Sequence, residues 1–436
     1  MRLALPTRNV IRTEAAPRRS RRQHVSNLLF ILLAGLTVFN VRSFWNGVGA
    51  ALEGYTDFSA FYSGAVLIRN GAGPDLYDYE TQAKTQRELF AGAVSRTGPA
   101  PYYHPPFELV AFLPMTGTSY ATAYWSWVII NAIILLAVPL LLLPHLTNLR
   151  PEFSVNVVVS FFAFFPNFIA AYHGQDSIVL LLLFACAFIS LRKGQPVWAG
   201  ILLGLGLFRF QLVAPFILLF LIKKQWRVIK GFSAAAVLVS CISVLITGWQ
   251  GLIKYFSFLW EINQNLTDPE HQVRFALYPR AMTNLRGMLF TLFAGHVSDV
   301  VITIISSVCS VLILLWLYVF LKKKMSAGGD IDLEFSMAIV VVLLVGFHVH
   351  LHDWSLLMLP ILLVSNRLAA LNPPLGLERW TIRFTVLLLL MTPVYLALIG
   401  LEFVSLVYLP LLVFAGLISA MRAQQSPVGV KSCDTA

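Results

Sequence analysis

ITIISSVCSVLILLWLYVFL, residues 302–321, runs for 20 positions without a charge. A helix of about 20 residues rises about 30 Å, the thickness of a bilayer's hydrocarbon core. The stretch 178–191, IVLLLLFACAFISL, is of the same kind but shorter. Working outward from these two, similar runs recur along all 436 residues, of which 58% are hydrophobic and 12% charged. A soluble domain averages roughly 45–50% apolar residues. A soluble multidomain protein and a disordered chain are both excluded, and an all-α polytopic membrane protein is predicted.

The formal charge of +11 takes its meaning from position. Seven arginines in the first 25 residues precede an apolar run beginning at Ser26 that lacks a small-residue cleavage site, which predicts an uncleaved first span and a cytoplasmic N-terminus. Lysine and arginine return at Arg150, Arg192–Lys193, Lys223–Lys224–Arg227–Lys230, Lys322–Lys323–Lys324, Arg367–Arg379–Arg383 and Arg422. Putting all of these inside gives spans near 26–48, 120–143, 153–171, 177–191, 196–208, 212–222, 229–248, 299–321, 334–347, 354–366, 382–400 and 403–421. That is a bundle of about 12 crossings with both termini cytoplasmic, net +15 inside and −4 outside. The surplus is the signature of a cytoplasmic face at the plasma membrane, where the partners are membrane lipids, and no nucleic acid is implied. The organisation predicted is a basic tail (1–25), one transmembrane unit (26–421) and a second cytoplasmic tail (422–436). Long outer loops occupy 49–119 and 249–298. Cys186, Cys241 and Cys309 lie in apolar runs and Cys433 in the tail, so no disulfide or metal-ligand spacing is visible.

Within the first outer loop, amphipathic patterns at roughly 58–69 and 79–91 flank the Gly71–Pro74 breaker, predicting juxtamembrane helices. The run Pro105–Met115 is too short to cross and is expected as a helix on, or dipping into, the outer face. Between Lys193 and Lys223 only 29 residues must go out and back, so each helix rises about 18–21 Å. Arg209 and Gln211 therefore lie below the outer surface, and so, by a looser version of the same reasoning, do His348, His350, His352 and Asp353. Charge at that depth requires protein or a water-filled cavity around it.

Seven of the nine histidines fall on the outer side of this topology, which marks it as the chemical face. Asp57 stands among aromatics directly after the first span. Desolvation there would raise its proton affinity, as a general base working near neutral pH needs; the structural alternative is an N-cap for a helix starting at Phe58. His104-Pro-Pro reads as the stiff start of the lying helix. His173-Gly-Gln175-Asp176 forms a tight turn that could hold a sugar or phosphate group, or be a solvated turn capped by Asp176. Arg209-Phe-Gln211, a buried cation, is a candidate phosphate ligand. The alternating His348, His350 and His352 could share one face as a metal site, although no fourth ligand is specified. Arg280, Asn284 and Arg286 supply further cationic and polar groups.

The string TDFSAFYSGAVLIRNGAGPDLYDYETQAKTQ, followed by PYYHPPFELVAFLP, resembles the membrane glycosyltransferases of family 87, in the GT-C superfamily. Asp57-Phe58, Gly71–Pro74 with Leu76-Tyr77-Asp78, Tyr103–Pro106, Gly174-Gln175, Arg209-Phe-Gln211, Asn284-Leu-Arg-Gly287 and His348–Trp354 are similar to that family's motifs in the same order. The resemblance implies a GT-C-like bundle that transfers a sugar, typically mannose or arabinose, from a polyprenyl-phosphate-linked donor. The acceptor would be a glycolipid or glycan on the outer side of the plasma membrane. It implies Asp57 as base, with His352 taking the place of the family's late histidine. Arg209, Gln211, Arg280 and Arg286 become the donor-phosphate candidates. Phe58, Tyr62, His104, His173, Gln175, Asn284, His348 and His350 become the substrate-binding candidates. No cofactor is implied, no metal ligands are assigned, and metal dependence is left open.

Two departures stand out: Arg209-Phe210 replaces a Lys-Pro pair, and three spaced histidines replace an adjacent pair. A lipid phosphate leaves as a stabilised anion, so one base and some positive charge suffice, whereas a glycosidase usually needs two carboxylates. The rival class is a lipid-linked sugar flippase. Transporters often repeat their two halves, and no such repeat is visible here.

Overall fold

The computed structural model describes residues 15–149, 151–264, 268–322, 330–370 and 377–423. Most of both expected tails, Cys433, Arg150 and Lys323–Lys324 lie outside the described residues. Within them the chain is helical and contains no strand. In order run α1 (Ala15–Leu52), α2 (Phe58–Arg69), α3 (Tyr79–Thr97), α4 (Tyr120–Leu142), α5 (Ser154–Ala163), α6 (Phe165–His173), α7 (Ser177–Arg192), α8 (Pro196–Leu205) and α9 (Phe210–Ile222). There follow α10 (Trp226–Glu261), α11 (Pro269–Phe275), α12 (Leu285–Phe293), α13 (Asp299–Lys322), α14 (Ile331–Val345), α15 (Met358–Ala370), α16 (Leu377–Leu390), α17 (Thr392–Gly400) and α18 (Tyr408–Ala423).

Among the described residues six helical stretches are long and apolar enough to cross a membrane, one of them being α8 and α9 taken together (Pro196–Ile222), or up to eight when two bent pairs each count as one span. Twelve full crossings are therefore not what length and composition support. Five helices expected as spans are short: α7 has 16 residues, α8 10, α9 13, α14 15 and α15 13. Both bent pairs break at proline, which has no N–H for the carbonyl four residues back. Pro166 deprives the Phe162 carbonyl at the 46° bend between α5 and α6; Asn40 Nδ2, from α1, donates to it at 3.1 Å and to Ala163 O at 3.0 Å. Pro393 does the same to Leu389 at the 61° bend between α16 and α17, where the Tyr395 hydroxyl donates to that carbonyl at 2.6 Å. Each break is thus satisfied internally, as backbone buried in an apolar setting requires.

The first long loop follows its sequence pattern, with α2 and α3 separated by a one-turn 3-10 segment at Gly73–Asp75. The expected lying helix at 105–115 is instead two 3-10 turns, Pro106–Ala111 and Leu113–Gly117, each with a proline in its first turn in place of an N–H donor. α10 kinks at Gly248, whose φ of +68° suits glycine.

Residues 196–222 form one long apolar stretch interrupted by Arg209 and Gln211, and they make a hairpin. Gly200 lies against Val228 and Phe232, Gly204 against Phe232 and Ala235, and Gly231 against Val197 and Ile201, so α8 runs parallel to the start of α10 and α9 must return. The close approach depends on absent side chains: a Cβ on Gly200 would stand 2.0 Å from Val228 O, and one on Gly231 would stand 2.1 Å from Val197 O. This is the small-residue packing typical of membrane helices.

One end of the bundle is tied by charge. The first turn of α14 is acidic and receives the basic ends of other helices. Arg192 of α7 pairs with Asp332, Lys223 at the end of α9 is 2.6 Å from both Glu334 oxygens, and Arg422 of α18 is 2.9 Å from Glu334 Oε1. Arg367 of α15 reaches Asp330 at 2.7 Å. The opposite ends of α7, α9, α14 and α15 consequently meet one another, and that is where the polar turns gather. Gly200→Val or Gly231→Val should force α8 from α10 and cost about 1–3 kcal/mol or more, measured as lost thermal stability and monodispersity in detergent. Gly35→Val, with nothing within 4 Å of the added Cβ, should be tolerated.

Candidate active site

The polar end is built around the turn that joins α6 to α7. Gly174 takes φ +67° with its Cα over Phe58, where a Cβ would stand 2.6 Å from Phe58 Cβ. Only glycine meets both demands, and the turn places His173 and Gln175 on either side of the residue that precedes α2. That residue is Asp57. It occupies the N-cap position of α2 but makes no side-chain cap hydrogen bond. Its Oδ2 instead accepts from Gln175 Nε2 at 2.6 Å and lies 3.4 Å from His173 Nδ1. No described residue bonds Oδ1, and the side chain keeps 46% of its exposure.

The expected rise in Asp57's proton affinity is not found. Burial raises it, but the charges of His173 and His352 and hydrogen bonds from His173 and Gln175 outweigh that and hold the carboxyl well below its usual range. The anion is therefore the resting form, stabilised by a turn 118 residues away.

Behind Gln175 sits Arg209, at the α8–α9 turn and 3% exposed. Its Nε donates to Asp176 Oδ1 at 2.7 Å, it hydrogen-bonds Gln175 Oε1, and its Nη1 is 3.5 Å from Asp353 Oδ1. Protein acceptors occupy this guanidinium, which revises the expectation of a donor-phosphate ligand. Gln211, half-buried at the start of α9, stands outside the network. Asp176 occupies the N-cap position of α7 without a side-chain cap hydrogen bond and is not solvated: it is 2% exposed, and although burial opposes its ionisation, Arg209 keeps its carboxyl well below the usual range. On its other side His104 Nδ1 is 3.3 Å from Asp176 Oδ2 and 2.8 Å from Glu108 Oε2. Burial pushes Glu108 up to about 8, with the charge of Asp176 adding and that of His104 opposing.

The late histidine turn closes the third side. His352 Nδ1 is 3.0 Å from Ser177 Oγ and 3.4 Å from Asp353 Oδ1. Asp353 Oδ2 accepts from His350 N at 2.9 Å. The rings of His348, His350 and His352 follow one another at 5.9 and 5.7 Å between centroids and do not converge on a metal. Among the described residues the group that gathers metal-ligating atoms is His104, Glu108 and Asp176. Arg286, 4% exposed, lies 4.0 Å over the Phe347 ring, next to His348 in sequence, and reaches Asn263 Oδ1 at 3.4 Å. No carboxylate of the described residues lies within ion-pairing distance of it.

Three expected substrate contacts are structural. Phe58 is fully buried among Tyr62, Phe112, Tyr120 and Tyr124. The Tyr62 hydroxyl donates to Thr118 O at 2.9 Å. Asn284 caps α12 through Gly287 N and donates to the carbonyls of Gly346 and Phe347, fastening the second long loop to the histidine turn. Arg280 is exposed and lines a cavity of about 410 Å³ with Gln272 and Tyr278, Tyr278 also bounding one of the cavities at Asp57. Two cavities meet at Asp57. One of about 40 Å³ is bounded by Tyr103, His104 and Gln175, and one of about 210 Å³ by Thr56, Ser59, Gln86 and Tyr278. Glu108 and Ser177 were not singled out by the sequence; the i, i+4 spacing of His104 and Glu108 was the signal available.

A sequence model of glycosyltransferase family 87 matches residues 102–360. No curated protein and no solved structure matches the chain.

Arg209→Ala leaves Asp176 and Asp353 buried without their cation and should destabilise the protein by about 3–5 kcal/mol, read as thermal unfolding in detergent. Arg209→Lys, which keeps the charge but loses the planar fork, should fall between. An unchanged melting temperature in the alanine variant would contradict this role.

Proposed function

The chain belongs to glycosyltransferase family 87, and on that footing we propose that Asp57 is the base of an inverting sugar transfer from a polyprenyl-phosphate-linked donor. The observation that carries this reading is the half-exposed carboxylate itself. Gln175 and His173 hold its Oδ2 while Oδ1 has no donor among the described residues, at the meeting point of two cavities. Oδ1 takes the proton of an acceptor hydroxyl as that oxygen attacks the anomeric carbon. The bond from that carbon to the phosphate oxygen breaks on the opposite side, and the polyprenyl phosphate departs as an anion that needs no general acid.

Arg286 is the candidate that stabilises the departing charge. Burial pulls its pKa down to about 10, with Asp299 opposing, so it remains a cation near neutral pH. A buried arginine with no carboxylate of the described residues within ion-pairing distance is suited to an incoming phosphate. His348 and His350 line the way from it towards Asp57, while His352 sits against Asp353 and supports the anionic base. Arg209 orients Gln175 and does not touch the donor in this scheme. Mannose is the sugar expected, a glycolipid or glycan the acceptor. We place the site on the outer side of the plasma membrane with both termini cytoplasmic, in a GT-C-like bundle whose short inner helices still count towards twelve passes.

Asp57→Asn should lower transfer by about 10²–10⁴-fold at unchanged stability, checked by mass spectrometry of envelope glycans and by transfer from synthetic polyprenyl-phosphate sugars. Translocation of the donor with no transfer would favour the flippase instead. Asp57 is faced by His173, Gln175, His352 and Tyr103. Removing the first with His173→Ala takes away a group that depresses the carboxyl, so the acid limb of kcat/KM should move to higher pH. An acid limb that stays in place would argue against Asp57 as the titrating base. Arg286→Gln should raise KM for the donor at least tenfold and affect acceptor KM little.

A further inference from the structure

His104, Glu108 and Asp176 are 7%, 6% and 2% exposed, and one ligating atom from each lies within 4.8 Å of the others. Glu108 Oε1 and Asp176 Oδ2 are buried with no hydrogen-bond partner of good geometry among the described residues, His104 Nδ1 standing 3.3 Å from the latter. Asp57, Glu108, Asp176 and Asp353 line one connected network; among the described residues Arg209 is the one arginine or lysine paired with any of them, and the other partners are His104, His173 and His352.

The geometry favours a cation. Ligands held about 2.0–2.2 Å from one ion stand about 3–3.5 Å from their neighbours; His104 Nδ1 is 3.3 Å from Asp176 Oδ2, and it meets Glu108 through Oε2 at a hydrogen-bonding 2.8 Å, which leaves Oε1 for the ion. Each arm is braced from behind, as metal ligands commonly are. The Tyr102 hydroxyl donates to Glu108 Oε2 at 3.0 Å, Arg209 holds Asp176 Oδ1, and the Tyr77 hydroxyl holds His104 O at 2.6 Å. His104 also borders the 40 Å³ cavity beside Asp57, with room for about one or two waters to complete a coordination shell.

We propose that His104, Glu108 and Asp176 form a divalent-cation site that takes Mn²⁺ or Zn²⁺ through one imidazole nitrogen and two carboxylate oxygens. Such mixed nitrogen and oxygen donors suit these ions better than Ca²⁺. The ion fastens the first long loop, which carries His104 and Glu108, to the α6–α7 turn, which carries Asp176. It stabilises the fold whether or not the transfer reading is right.

The test uses the full chain in detergent, stripped with chelator and dialysed against Mn²⁺ or Zn²⁺. Bound metal is counted per chain by elemental analysis, Mn²⁺ is observed by electron paramagnetic resonance, and thermal unfolding is followed in parallel. Wild type should retain about one ion per chain and melt higher with it. Glu108→Gln, which keeps the shape and the acceptor for Tyr102, should bind at least about tenfold more weakly. Glu80→Gln, at an exposed acid, should behave as wild type. Wild type retaining no ion would overturn the proposal whatever the variants do. So would retention equal to that of Glu108→Gln, or an infrared band of a protonated carboxyl, lost in Glu108→Gln, from metal-free protein that gains no stability with either ion.

Discussion

One buried guanidinium sets the architecture of the polar end. Arg209 reaches the α6–α7 turn through Asp176 and Gln175 and the histidine turn through Asp353, and Asp176 passes the connection to His104 and Glu108. A cation at that depth is tolerated because it is so fully paired. The pairing fixes more than position: with Gln175 Oε1 committed to Arg209, its amide nitrogen must face Asp57. The orientation of the candidate base is thus traceable, through one amide, to a residue on another hairpin.

Far from this network the opposite end of the bundle is held by a second charge cluster, in which Glu334 receives both Lys223 and Arg422. Between the two ends the packing is apolar and close, with α8 and α10 in backbone contact across their glycines. The ends of α7, α9, α14 and α15 are therefore fixed twice, and the turns that connect them are presented by a braced frame. Such bracing from rigid elements is what keeps a catalytic constellation in register.

Much of this was legible in the chain and some was not, for physical reasons. Apolar runs located the helices, and the 29 residues between Lys193 and Lys223 indicated a short hairpin, because reach is a property of local length. Hydropathy could not separate a span from a buried short helix such as α14, which is apolar because protein surrounds it. The aromatic string around Asp57 read as substrate contacts, yet Phe58 and Tyr62 form the floor beneath the α6–α7 turn. Periodicity does not reveal which polar partner lies over 100 positions away. The same blindness inverted the reading of Asp57: its local setting spoke of desolvation, which is the largest single influence, while His173, His352 and Gln175 together outweigh it. Glu108 was passed over as one acid in an apolar stretch, when its meaning came from Asp176.

The shortness of the inner helices changes how a lipid meets this protein. α14, at 15 residues, rises about 22 Å, some 8 Å less than an average hydrocarbon core. With the charged end of the bundle at one surface of a bilayer, the floor of the polar end lies about 8 Å inside the far edge of the hydrocarbon. An amphiphile whose headgroup rests at the interface can move sideways into such a recess without being lifted from its leaflet. On the proposal that the donor is such an amphiphile, access is governed by two-dimensional diffusion and by gaps between the outer helices, more than by concentration in the surrounding water.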